Sequence, residues 1–185
     1  MIAHFSQSLL ISTRVVNMKI RLAGLVDDSI VDGPGYRFTV FVQGCPHNCP
    51  GCHNPQSHDF GGGYEEDTDE IFAKIIANHL LQGVTFSGGE PMEQAVPLLA
   101  LARKIKAAGL DLWIYTGYTY ETLREKISRR TDDPRQQENN DAIRQLLSIA
   151  DVLVDGPFLM EQRDIELCFR GSRNQRILNL KEMNP

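Results

Sequence analysis

The sequence predicts an α/β protein built on a partial, open, barrel-like parallel sheet. Apolar runs typical of buried strands alternate with segments in which apolar residues recur at helical spacing. Strands and helices that alternate in this way form parallel βαβ units with right-handed crossovers. The 185 residues contain too few of these units for a closed eightfold barrel. We therefore expect a curved sheet that is partly open.

The first half of the pattern begins with the segment 19–26. The stretch 37–43 is rich in β-branched and aromatic residues, which predicts a strand buried on both faces that runs directly into a cysteine-rich loop. A strand over 83–87 ends at two glycines. Between these strands the spacing predicts a helix near 66–81, with one apolar face formed by Ile71, Phe72, Ile75, Ile76 and Leu80.

The second half continues the alternation of strands and helices. The polar stretch 129–141 has no periodicity, which predicts an exposed loop. The other expected elements are a helix near 92–108, a strand over 111–116, a helix near 119–129, a helix near 141–149, a strand over 151–155 and a last strand over 175–180.

Composition narrows the classes of partner. Hydrophobic residues make up 42% and charged residues 23% of the chain, as is typical of a globular domain. The net charge of -5 argues against nucleic acid as a partner, because phosphate binding depends on basic patches. No apolar run approaches the roughly 20 residues that cross a bilayer, so no membrane partner is expected. Residues 1–17 lack a signal-peptide pattern and are expected to be a disordered or untranslated extension of a domain over 18–185.

Three of the four cysteines crowd into eight residues, as Cys45, Cys49 and Cys52. Such crowding favours metal ligands over disulfides and indicates a reducing, cytoplasmic setting. Structural zinc sites and ordinary four-iron clusters use four protein ligands, so three thiolates indicate a metal centre with one open position. A zinc site completed by His47 or His53 remains an alternative. The fourth cysteine, at position 168, is expected to be a small packed residue.

Four loops follow predicted strands and carry the remaining polar signals. They are the cysteine loop, 87–90, 116–117 and 155–156. In open α/β sheets ligands bind beyond the carboxyl ends of the strands. We therefore expect these loops to meet on one rim of the sheet.

The motifs resemble those of a known family. The C-x3-C-x2-C triplet followed by Ser87-Gly-Gly-Glu-Pro91 resembles the radical S-adenosylmethionine superfamily, and the segment 31–37 is similar to that of the glycyl-radical-enzyme activases. Three further segments, 115–118, 151–156 and 169–175, resemble the branch that activates anaerobic ribonucleoside-triphosphate reductases. The resemblance covers roughly residues 19–180 and implies a fold of the radical S-adenosylmethionine type.

The resemblance implies two cofactors and the residues that hold them. Cys45, Cys49 and Cys52 would bind three irons of one [4Fe-4S] cluster, and S-adenosylmethionine would bind the fourth iron. The loop Gly88-Gly89-Glu90 would receive the methionine amino group. The adenine and the cluster would lie near Gly51, Cys52 and His53. The methionine and ribose end of the ligand would lie near Thr116 and Asp155.

The implied activity is the installation of a radical on another protein. Reductive cleavage of S-adenosylmethionine would yield a 5′-deoxyadenosyl radical, which would take a hydrogen atom from a glycine of the anaerobic reductase. Flavodoxin or a similar protein would donate the electron. The alternatives are an activase of another glycyl radical enzyme of the pyruvate formate-lyase type, a small radical enzyme that acts on a metabolite, and a zinc-binding interaction module without catalysis.

Overall fold

The computed structural model describes residues 18–183, and the expectation about residues 1–17 falls outside this range. A single seven-stranded sheet has the order β3-β1-β2-β4-β5-β6-β7. The strands are β1 (Lys19–Ser29), β2 (Arg37–Val42), β3 (Tyr64–Asp67), β4 (Gly83–Gly88), β5 (Asp111–Tyr115), β6 (Val152–Asp155) and β7 (Arg176–Asn179).

The centre of the sheet is parallel, as expected, but its edges are not. Strands β2, β4, β5 and β6 pair in parallel, whereas β1, β3 and β7 pair antiparallel with their neighbours. Only residues 30–36 separate β1 from β2, and a parallel crossover needs a dozen or more residues. The α/β class is confirmed, and the sheet is mixed.

The two faces of the sheet have different compositions because side chains alternate along each strand. One face is apolar and fully buried, and it forms the core together with the helices. Its strand residues include Phe38, Val40, Val84, Phe86, Leu112, Ile114 and Leu153. The opposite face carries Arg37, Thr39, Phe41, Thr85, Ser87, Trp113 and Tyr115. The last residues of this second face line a cleft.

Helices cover the apolar face. They are α1 (Thr68–Ala77), α2 (Ala95–Ala107), α3 (Tyr120–Ser128), α4 (Pro134–Ile149) and the short α5 (Leu180–Met183). Helix α1 is shorter than the predicted range 66–81. Asp67 ends β3 and caps the helix by accepting a hydrogen bond from the Asp69 amide at 2.7 Å. Ile76 and Leu80, predicted on its buried face, are exposed.

The prediction of an exposed loop over 129–141 is wrong for most of its length. Helix α4 begins at Pro134, where the missing amide proton is not needed, and the Asp133 carboxylate accepts a hydrogen bond from the Arg135 amide at 2.9 Å. Its first turns are polar because they face outward, so the stretch lacks the apolar periodicity of a helix. No helix within residues 18–183 is long and apolar enough to cross a membrane.

Candidate active site

The loops that follow the parallel strands meet on one rim, as predicted. Two backbone hydrogen bonds join the cysteine loop to the loop after β4: the Gly89 amide donates to the Val42 carbonyl at 2.7 Å, and the Glu90 amide donates to the Gly44 carbonyl at 2.8 Å. A Cβ atom on Gly89 would lie 2.4 Å from the Gly44 oxygen. Glycine is therefore required for this close approach.

The cysteine loop follows β2 and is closed on itself. The Gly44 amide donates to the Ser57 carbonyl at 2.8 Å, and the Cys45 amide donates to the His58 carbonyl at 3.1 Å. Within the loop, Asn48 and Gly51 adopt left-handed φ angles of 46° and 72°, which turn the chain sharply between the cysteines. These turns place three cysteines within one short stretch of exposed rim.

The cysteines suit a cluster with three protein ligands. Cys45, Cys49 and Cys52 are partly buried and form no disulfides. The Asn54 amide lies 3.4 Å from the Cys52 sulfur, in position to donate to a thiolate. Burial raises the pKa of the Cys45 thiol, so iron binding there must displace a proton.

A single zinc ion fits this donor set poorly. Structural zinc requires four ligands gathered tightly around one ion. Of the two candidates for the fourth ligand, His47 is hydrogen-bonded to Glu90 at 2.8 Å, and the His53 ring packs 5.1 Å from that of Phe158. A cluster that leaves one iron for another ligand needs only the three thiolates. The residues present therefore fit an iron–sulfur cluster better than the zinc alternative.

An open cleft of about 560 Å³ lies beside the cysteine loop. Cys52, His53 and Asn54 form one wall. The floor is formed by the ends of β2, β4 and β5, and the far wall by the segment that leads into β7. Further lining residues are Val31, Asp32, Phe41, Ser87, Tyr115, Phe158, Leu167, Phe169, Arg170 and Gln175.

Glu90 is fully buried, and its carboxyl group forms four hydrogen bonds. Its Oε1 accepts from the Met92 amide at 3.0 Å and from the Thr116 hydroxyl at 2.8 Å. Its Oε2 accepts from the Gly117 amide at 2.9 Å and pairs with His47 Nε2 at 2.8 Å. Four bonds use the hydrogen-bonding capacity of a carboxyl group. The predicted role of this loop toward an amino group therefore depends on its backbone.

The other predicted site residues divide into two groups. His53 lies in the cleft wall with its ring 5.1 Å from that of Phe158, and Gly51 packs against the Met160 side chain. Thr116 and Asp155 lie behind the cleft, where protein groups already bind their side chains. Their contact with a ligand, like that of the other site residues, stays a prediction.

Asp155 anchors the end of β6. Its carboxylate accepts a hydrogen bond from the Tyr120 amide at 2.7 Å and pairs with Arg176, whose Nε lies 2.9 Å from Oδ1. The ion pair raises the pKa of the Arg176 guanidinium. The carboxylate therefore joins β6, β7 and the start of α3.

The motif 31–37 is held by Arg37, which is fully buried. Its guanidinium donates to Thr85 Oγ1 at 2.7 Å and to the Val84 carbonyl at 2.8 Å. It also donates to the Pro34 carbonyl at 3.3 Å and to Asp111 at 2.6 Å. The arginine thereby fixes the turn before β2 against β4 and β5.

The motif 169–175 is held by Gln175, a role that the sequence did not indicate. Its side-chain oxygen accepts from the Gly171 amide at 2.8 Å, and its nitrogen donates to the Gly156 carbonyl at 3.1 Å. Phe169 adopts a φ of 58°, and its carbonyl accepts from the Tyr115 hydroxyl at 2.9 Å. The loop thus closes the far wall of the cleft.

Sequence reasoning missed His47 and Tyr118. The sequence suggests His47 only as an alternative zinc ligand, whereas in the structure it reaches Glu90, and its ring meets the Tyr118 ring edge-on at 4.5 Å. The only available signal was its place between two cysteines. Its partner lies 43 residues away along the chain, so no local pattern identifies it.

Comparison with known proteins adds an independent observation. Residues 31–178 match the family model described as a 4Fe-4S single cluster domain. The crystal structure of QueE from Escherichia coli is similar at a TM-score of 0.44 and 17% identity, over 55% of this chain and 53% of that chain.

Curated relatives have one name in common. The anaerobic ribonucleoside-triphosphate reductase-activating protein of Salmonella typhi is 40% identical over 162 residues, covering 82% of this chain and 94% of the relative. The protein of the same name from Vibrio cholerae is 38% identical over 156 residues, covering 80% and 90%. The chain belongs to the family of anaerobic ribonucleoside-triphosphate reductase-activating proteins, with a 4Fe-4S single cluster domain.

Proposed function

We propose that this protein activates the anaerobic ribonucleoside-triphosphate reductase by generating a glycyl radical on it. The observation that carries the proposal is the set of three unpaired cysteines beside an open cleft, in a chain whose relatives are named for this activation. The protein is a radical S-adenosylmethionine enzyme, and its cofactors are a [4Fe-4S] cluster and S-adenosylmethionine. When bound, they supply the radical that removes a hydrogen atom from the partner's glycine.

The chain's own residues hold and orient the cofactors. Cys45, Cys49 and Cys52 bind three irons and leave one coordination position for S-adenosylmethionine. The backbone of Gly88 and Gly89 would contact the bound S-adenosylmethionine; the proposal is supported by the position of these glycines against the end of β2 and the cysteine loop.

The cleft suits a large substrate. It is open to solvent, and its wall includes the half-buried aromatic rings of Phe158 and Phe169. A glycine on an extended loop of a partner protein can enter such a cleft, whereas a small metabolite would gain little enclosure. No general base is required of the protein, since a hydrogen atom rather than a proton is removed. We place the reaction in the cytoplasm, where thiols stay reduced and flavodoxin or a similar donor supplies the electron.

The test is anaerobic incubation of the reconstituted protein with the purified reductase, S-adenosylmethionine and a one-electron reductant. We expect a glycyl radical signal on the reductase, together with methionine and 5′-deoxyadenosine. A glycyl radical enzyme of the pyruvate formate-lyase type serves as the matched partner control. A radical on that control enzyme but none on the reductase would contradict the proposal, as would stoichiometric zinc without sulfide.

A further inference from the structure

His47 lies between two of the three cysteines and contacts the sheet rim. Its Nε2 is 2.8 Å from Oε2 of Glu90, and its side chain is 17% exposed. Glu90 is fully buried and accepts three other hydrogen bonds. The His47 ring nitrogen therefore occupies the fourth hydrogen-bonding position of this carboxyl group.

The ring is also confined by its neighbours. A Cβ atom on Gly117 would lie 2.4 Å from Cδ2 of His47, so glycine at this position leaves space for the ring. The Tyr118 ring meets it edge-on at a centroid distance of 4.5 Å. The Tyr118 hydroxyl in turn donates to Glu93 at 2.9 Å. One hydrogen bond and two packing contacts thus fix the ring.

Few other interactions restrain this part of the loop. Among residues 18–183, the remaining hydrogen bonds of the segment 46–51 stay within the cysteine loop. They join Asn48 to His58 at 3.0 Å and the carbonyl of Cys49 to the amide of Cys52 at 3.1 Å. Within residues 18–183, His47 is therefore the one residue of this segment that is hydrogen-bonded to the loop after β4.

We propose that His47 is a positioning residue that holds the cysteine loop against the rim through Glu90. The inference rests on the proposed cluster site and adds a role for a side chain that binds no iron. Backbone hydrogen bonds of Gly44 already anchor Cys45, so the link chiefly keeps Cys49 at a fixed distance from the Gly88-Gly89 loop. Without it, the segment moves more freely, and the cluster is lost faster.

The test separates the contribution of the His47 hydrogen bond from that of the packing of its ring. In His47→Gln the side-chain amide nitrogen reaches about as far as Nε2 and can still donate to Glu90. In His47→Asn it reaches only as far as Nδ1, so the bond is lost. A hydrogen bond to a charged group affects an equilibrium by about ten- to hundredfold. The same two substitutions at His79, an exposed residue far from the loop along the chain, are the controls.

Two measurements follow. In the cluster-free protein, exchange of the Cys52 amide, which donates to the Cys49 carbonyl at 3.1 Å, should be at least about tenfold faster in His47→Asn and within about twofold of the parent in His47→Gln. In the reconstituted protein, iron loss to a fixed concentration of chelator should follow the same order. His79 variants should match the parent in both, with unchanged thermal melting as the folding control.

The results decide between the alternatives. Equal acceleration by both His47 substitutions would show that ring packing, rather than the hydrogen bond, holds the loop and would overturn the proposal. Parent-like behaviour of both would overturn it as well. Neither measurement uses the reductase, so a failure of radical transfer to the reductase would not be mistaken for a failure of the His47 proposal. If the parent bound no cluster, the proposed function would fail while the exchange measurement still tested His47.

Discussion

The guanidinium of Arg37 provides a sharp test of how the sheet is held. It is fully buried and donates four hydrogen bonds, three of them at 2.8 Å or less, to groups on β4, β5 and the preceding turn. It also lies 5.4 Å from the centroid of the Trp113 ring. Its acidic partner Asp111 is 40% exposed, so the main cost of losing the arginine falls on the buried Thr85 hydroxyl and Val84 carbonyl, at about 1–3 kcal/mol each. Together with the lost packing against Trp113, Arg37→Leu should lower the free energy of unfolding by about 3–5 kcal/mol.

The assay is urea unfolding of the cluster-free protein, which avoids the contribution of bound metal. For a chain of this size, about 3–5 kcal/mol corresponds to a fall in Tm of roughly 6–20 °C. Arg129→Leu is the matched control, because the Arg129 side chain is 78% exposed and, among the residues that the structure describes, pairs only with Glu125 at 3.4 Å. That change should cost at most about 0.5 kcal/mol. Equal losses in the two variants would refute the assignment of Arg37 as a buried anchor.

Three further predictions concern the rim, the charges and the cysteines. Gly88→Ala places a Cβ atom 2.7 Å from backbone atoms of β2, at a residue whose φ is 95°. It should destabilise the protein more than Gly109→Ala, where the new Cβ has open space and only the left-handed φ of 79° costs about 1–2 kcal/mol. Equal urea midpoints for the two variants would contradict this. Burial raises the pKa of the Asp151 carboxyl, but hydrogen bonds from two lysines and an amide lower it more, to below its usual value. The ionised Asp151 carboxylate therefore stabilises the fold above about pH 4, and this contribution is lost as the pH falls further. Asp151→Asn should make the free energy of unfolding depend less on pH below about pH 4. An unchanged dependence would contradict the role given to these hydrogen bonds. Cys49→Ala should abolish cluster retention and cofactor cleavage, whereas Cys168→Ala should retain parent iron content; retention by the first variant would overturn the ligand assignment.

The sequence predicted the parallel centre of the sheet well because its strands are short apolar runs separated by helical spacing. It predicted the edges less well. Strand β3 is polar and lies next to an N-cap, so its residues resemble the first turn of a helix. The start of α4 was missed for a related reason: Asp133 and Pro134 are start signals, but the polar turns that follow carry no apolar stripe.

The candidate site shows the same division between local and distant information. The cysteine triplet and the Gly88-Gly89 turn are local motifs, and the structure brings them onto one rim. The hydrogen bonds of Glu90 are not local, since Thr116 and His47 lie 26 and 43 residues away along the chain. The resemblance to reductase-activating proteins is confirmed by relatives at 40% identity. Which side chains touch the cofactors remains a prediction that rests on those motifs.

The proposed reaction removes a hydrogen atom from a glycine of the reductase. It can be followed with reductase in which glycine is deuterated at the α-carbon, after anaerobic incubation with the reconstituted protein, S-adenosylmethionine and a reductant. We predict a glycyl radical on the reductase and one deuterium in the 5′-deoxyadenosine released. Formation of 5′-deoxyadenosine without deuterium, and without a radical on the reductase, would contradict the proposed reaction.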